Sequence, residues 1–147
     1  MPLLMSDRLT VLVVDDNLAD ILLLEEVFED HADAVDLVTF RSGPDLLSYL
    51  RDPACPMPDV LLLDWSMPAM NGQEVLESLR AEPHLQSLPV MVLSGHPLEV
   101  PGTAACLIKQ ASLEGLMASV EGLIGEVQSW RSRGRPVSSG ELGFTES

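Results

Sequence analysis

The chain is 147 residues long, the size of one ordinary domain, and 46% of its residues are hydrophobic, enough for a core and too many for a disordered chain. Its 23 acidic and 8 basic residues give a formal net charge of −15. That charge excludes the phosphate backbone of nucleic acid and an anionic membrane surface as partners; it suits a cation or a basic partner, or serves solubility alone.

Residues 1–8 read as an N-terminal extension, whose apolar patch is too short for a signal-peptide core and has no basic leader. No later apolar run is long enough to cross a bilayer. Residues 10–14 (TVLVV) are the first predicted strand, apolar on both faces as in a parallel sheet covered by helices on each side. It runs straight into two adjacent carboxylates, Asp15 and Asp16. Leu18 to Glu29, rich in leucine and glutamate, reads as a helix. Residues 35–40 (VDLVTF) read as a strand near an edge, and 43–51 (GPDLLSYLR) as a helix with proline in its first turn. A third strand, 59–63 (DVLLL), ends at Asp64, and a helix over 72–82 (GQEVLESLRAE) stops before Pro83. The fourth strand, 89–93 (PVMVL), ends at Ser94; the fifth, 105–108 (ACLI), again nearer an edge, ends at Lys109. Leu113, Leu116, Met117, Val120, Leu123, Ile124 and Val127 then mark one face of a last helix, weakened by Gly115, Gly122 and Gly125. Beyond Trp130 the composition turns to Ser, Gly and Arg and reads as a tail. Cys55 and Cys106 lie in no paired or zinc-like spacing, which points to a reducing compartment, so a soluble cytoplasmic protein is expected.

Alternating strands and helices with short links specify a doubly wound α/β fold with a five-stranded parallel sheet. Right-handed crossovers place the loops after the strands on one rim, where such sheets bind ligands. Asp15, Asp16, Asp64, Ser94 and Lys109 then converge there. Lys109 is the only lysine in the chain, a compact point charge where every other basic residue is arginine. Two carboxylates at the end of a buried strand repel each other and lose solvation, so each resists ionisation unless something compensates. A hard divalent cation such as Mg²⁺ does so and keeps positions for a phosphate-bearing substrate. Asp64 is then placed as a carboxylate nucleophile toward phosphorus, with Lys109 to neutralise phosphoryl charge and Ser94 to donate a hydrogen bond.

The segments VLVVDDN, DVLLLDWSMPAMNG, VMVLS and CLIK resemble the receiver domain of bacterial two-component response regulators, over roughly residues 9–128. The resemblance implies a flavodoxin-like sheet of order 2-1-3-4-5, a receiver domain over 9–129 and a C-terminal tail over 130–147. It implies Asp64 as the phosphoacceptor, served by a phosphohistidine on a sensor histidine kinase. Mg²⁺ would be held by Asp15, Asp16, Asp64 and the backbone carbonyl of Ser66. Ser94 would be the switch hydroxyl, Lys109 the phosphoryl partner, and Pro68 and Gly72 would set the turn after the acceptor. DDNLADILLLEE and LRAEPHLQSLPV are similar to single-domain regulators that serve phytochrome-type kinases. The implied function is a stand-alone response regulator, not an enzyme, that signals by changing its contacts with a downstream protein.

Three features depart from that family. Only fourteen residues separate Ser94 from Lys109, and they include Pro97 and Pro101, so the helix normally found there is expected to be absent or one turn long. Cys106 stands where the switch aromatic usually does. Gln110 replaces the proline after the lysine, so a trans bond is expected. Rival functions are a Mg²⁺-dependent small-molecule phosphatase or phosphotransferase using Asp64, which typically needs a second aspartate where Ser66 stands, and a scaffold that is never phosphorylated. A flavodoxin-like cofactor binder is disfavoured because Asp15 and Asp16 repel a phosphate. The tail either supports a homodimer, through Arg131, Arg133 and Arg135 with Trp130, Leu142 and Phe144 as anchors, or is solvated.

Overall fold

The computed structural model describes residues 8–109 and 112–133. The elements are β1 (Leu9–Val14), α1 (Leu18–Glu29), β2 (Val35–Phe40), α2 (Gly43–Arg51), β3 (Val60–Asp64), α3 (Gly72–Arg80), a 3₁₀ turn (Pro83–Leu85), β4 (Val90–Ser94), β5 (Ala105–Ile108) and α4 (Leu113–Arg133). The strands pair in parallel in the order β2-β1-β3-β4-β5, as expected.

Successive strand side chains point to opposite faces, so each apolar strand feeds two cores. Val11, Val13, Leu62, Met91 and Leu93 pack under α1 and α4, with Leu24, Phe28, Leu116 and Leu123. Leu12, Val14, Leu61, Leu63 and Val90 face the other way, against Leu46, Leu50, Val75 and Leu79 of α2 and α3. β3 is buried along its whole length and β2, on the sheet edge, only at its first residue. That is the contrast the sequence predicts between a continuous apolar run and a mixed one.

The helix starts are fixed by side-chain caps. Asn17 accepts from the Asp20 amide at 3.2 Å and Ser42 from the Asp45 amide at 3.2 Å. Asn71 and Glu74 form a reciprocal capping box, at 2.9 and 3.0 Å. Each cap satisfies an amide that the helix itself leaves without a partner.

No helix forms between β4 and β5. Residues 95–104 instead run as an extended strap with a turn at Pro101-Gly102, where Gly102 has φ of +89°. Arg80 holds the strap: its guanidinium donates to the carbonyls of Leu85, Gln86 and Leu88 at 3.3, 3.0 and 3.1 Å and, across to the strap, to that of Gly102 at 2.8 Å. Thr103 Oγ1 donates to the Val100 carbonyl at 2.7 Å.

The last helix runs past residue 129, the expected end of the receiver domain. α4 continues to Arg133 despite its glycines, and Trp130 is buried in the core beneath it rather than free to anchor a second copy. Arg131 Nε donates to Asp59 Oδ1 at 3.0 Å and its Nη2 to the Arg8 carbonyl at 3.0 Å, so it ties α4 to the foot of the sheet. The composition shift after Trp130 coincides with residues 131–133, which are helical and exposed. Arg135, Leu142, Phe144 and the Lys109–Gln110 bond lie outside the described residues, as do residues 1–7.

Candidate acidic rim site

Because all five strands are parallel, their C-terminal ends share one rim. β1 ends before Asp15, β3 at Asp64 and β4 at Ser94, and Lys109 follows β5. Ladder bonds continue just past the strands and fix these residues: Asp15 N to the Phe40 carbonyl at 3.0 Å, Trp65 N to that of Leu93 at 3.1 Å, and Lys109 N to that of Ser94 at 2.7 Å. The sheet register therefore brings together side chains separated by as many as 94 positions.

Asp15 and Asp64 are buried, at 0% and 3% exposure, while Asp16 is exposed. One oxygen from each of the three lies within 4.8 Å of the other two. Lys109 Nζ is 3.0 Å from Asp15 Oδ2 and 3.4 Å from Asp64 Oδ1. Asp15 Oδ1 accepts from the Asn17 amide at 2.9 Å and Asp64 Oδ1 from the Ser66 amide at 3.3 Å. Asp15 Oδ2 has no hydrogen-bond partner although it is buried, so its contact with Lys109 is an ion pair without hydrogen-bond alignment. A buried carboxylate oxygen in that condition is costly unless a cation completes it. Three clustered carboxylates form an all-oxygen donor set, the kind a hard divalent cation prefers.

The electrostatics follow from this crowding. Burial pushes Asp64 up to about 6, assisted by the neighbouring Asp15 carboxylate, while Lys109 and the Ser66 amide pull it back. Burial works against the charge of Lys109, but Asp20, then Asp15 and Asp64, outweigh it and hold the ammonium above its ordinary range. The cation is therefore firmly charged beside an acid that ionises reluctantly.

Ser94 is buried, and its Oγ accepts from the His96 amide at 3.2 Å, which leaves its own hydrogen to donate elsewhere. His96 is exposed in the strap. Ser66 is exposed in the loop after Asp64. In that loop Gly72 lies against Trp65, so close that a Cβ there would be 2.9 Å from the Trp65 Cα. Cys106 is buried, its thiol 4.0 Å from the His96 carbonyl and pushed up by burial.

Asp20 carries no signal in the sequence, where an acidic residue in a first helical turn has an ordinary explanation as a partner of the helix dipole. In the folded chain its Oδ2 accepts from Lys109 Nζ at 3.0 Å. Arg80 was equally silent, because its four acceptors are backbone carbonyls that any sequence supplies.

The family model for the response regulator receiver domain matches residues 11–120. The response regulator Rcp1 of Synechocystis sp. is 30% identical over 124 residues, which cover 77% of this chain and 84% of Rcp1. The crystal structure of the phosphorylated cyanobacterial phytochrome response regulator RcpA superposes with a TM-score of 0.67 at 25% identity, covering 90% of this chain and 99% of that one. The Mn²⁺-bound form of Rcp1 gives a TM-score of 0.61 at 26% identity, covering 85% and 93%.

Proposed function

The chain belongs to the response regulator receiver family of two-component signalling, and on that premise we propose that Asp64 is its phosphoacceptor. The observation that carries this reading is the cluster itself: buried Asp64 within 3.4 Å of the sole lysine, with Asp15 and Asp16 offering oxygens within 4.8 Å. Rivals lack comparable support. Ser66 stands where a phosphatase of the related type would place its acid/base carboxylate.

The donor is a phosphohistidine on a sensor histidine kinase, of the phytochrome type given the likeness to Rcp1 and RcpA. An Asp64 oxygen forms a bond to phosphorus as the phosphorus–nitrogen bond of the donor breaks, and the imidazole nitrogen keeps the bonding pair. Lys109 offers its ammonium to the phosphoryl oxygens, and Ser94 turns its free hydrogen toward one of them. Asp15, Asp16, Asp64 and the Ser66 carbonyl would hold Mg²⁺, which when bound neutralises charge on the incoming group and favours ionised Asp64. Burial of Asp64 beside Trp65 limits water at the acyl phosphate.

Output runs through altered protein contacts. Buried Cys106 offers little area to exchange between states, so the rearrangement is smaller than one driven by an aromatic side chain. Incubation with Mg²⁺ and acetyl phosphate, read by mass spectrometry, is expected to add one phosphoryl group to the wild-type chain and none to Asp64→Ala. An unmodified wild type, or equal modification of the variant, contradicts the assignment.

A further inference from the structure

Asp20 is the one carboxylate of the rim that this reading leaves without a task. The Lys109 ammonium is shared among three acids: 3.0 Å to Asp15, 3.0 Å to Asp20 and 3.4 Å to Asp64. Two of these belong to the clustered carboxylates, and Asp20 does not. Its backbone is fixed beside the cluster, since its amide caps onto Asn17, whose own amide binds Asp15.

We propose that Asp20 is a positioning residue that holds the Lys109 ammonium in competition with the phosphoryl group at Asp64, and so sets how tightly the phosphorylated state is held. The inference rests on the phosphoacceptor reading above. A lysine ammonium is a point charge on a flexible stem and moves toward the strongest anion. Oxygens of Asp15 and Asp64 are the ones drawn to a cation, which weakens their claim on Lys109. Asp20 keeps its claim. A phosphoryl group must then take the ammonium from Asp20, and it brings a charge of roughly −1.5 to −2 near the charge of Asp20 itself. Both effects oppose the phosphorylated state, whereas the charge of Asp20 favours cation binding. A cavity of about 30 Å³ lies beside Lys109 and Asp20, with Leu24, Leu107 and Leu116 among the residues that line it.

The test uses the full chain and follows Trp65 fluorescence during titration with Mg²⁺, then with beryllium fluoride at saturating Mg²⁺. Asp20→Asn keeps the shape and an acceptor oxygen but removes the charge; Asp20→Glu restores it. Asp20→Asn is expected to bind beryllium fluoride about fivefold more tightly, the worth of a partly buried ion pair, and Mg²⁺ slightly less tightly. Glu at the same position is expected to match wild type. Equal or weaker beryllium fluoride binding by Asp20→Asn, with wild type binding normally, overturns the inference alone. Failure of wild type to bind beryllium fluoride overturns the phosphoacceptor reading beneath it.

Discussion

At the rim, individual side chains are held in an arrangement that costs stability in the absence of a cation. An aspartate begins from an ordinary value of 3.8, and burial followed by Asp15 takes Asp64 to about 6 in the folded chain. The folded state therefore binds the extra proton between those values. The resulting stabilisation is complete below about pH 4 and is lost as pH rises through about 6. Urea unfolding without metal should show wild type losing roughly 2–3 kcal/mol relative to Asp64→Asn across this window. A constant difference between the two proteins from pH 4 to 7 would contradict the assigned strain. Gly72 sets a second constraint at this scale. Replacement with alanine forces a methyl group against the Trp65 backbone and should cost about 1–3 kcal/mol, measurable as a lowered unfolding midpoint. Asp15, Asp16, Asp64, Ser94 and Lys109 were legible because each ends an apolar strand, where polar residues are conspicuous. Asp20 was not, because its task depends on a lysine 89 positions away.

Among the elements, the strap departs most from the regular α/β pattern. Two prolines and a short span exclude a helix, and that much is local chemistry. What holds the strap instead is Arg80, which bonds its Gly102 carbonyl while anchored on the carbonyls of Leu85, Gln86 and Leu88. Arg80→Met keeps the apolar stem and removes the donors, so the Gly102 carbonyl and those of Leu85, Gln86 and Leu88 lose this partner. Hydrogen exchange is expected to accelerate across residues 100–104 while β3 stays protected; unchanged exchange there would show that the strap holds itself. The capping box is a smaller device. Asn71→Ala should lower stability by about 1 kcal/mol in denaturant titration, through the Glu74 amide left to water.

For the molecule as a whole, two apolar layers on opposite faces of one sheet are closed at the foot by the last turn of α4. Trp130 fills the core there, and Arg131 joins α4 to Asp59, whose Oδ2 also accepts the Thr10 amide at 2.8 Å. Trp130→Ala should cost about 3–5 kcal/mol in urea unfolding, and a chain ending at residue 129 at least as much. A loss below about 1 kcal/mol would place Trp130 outside the cooperative core. The sequence by itself determined the strands, the helix faces, the missing helix and the identities of the acidic rim, because alternation, helical spacing and proline act over a few neighbouring residues. Only the tertiary structure decided that α4 extends through Arg133, that Arg80 secures the strap and that Asp20 shares Lys109. Those outcomes depend on distances between segments far apart in the chain, and such distances are fixed only when the sheet register and the two packed layers are in place.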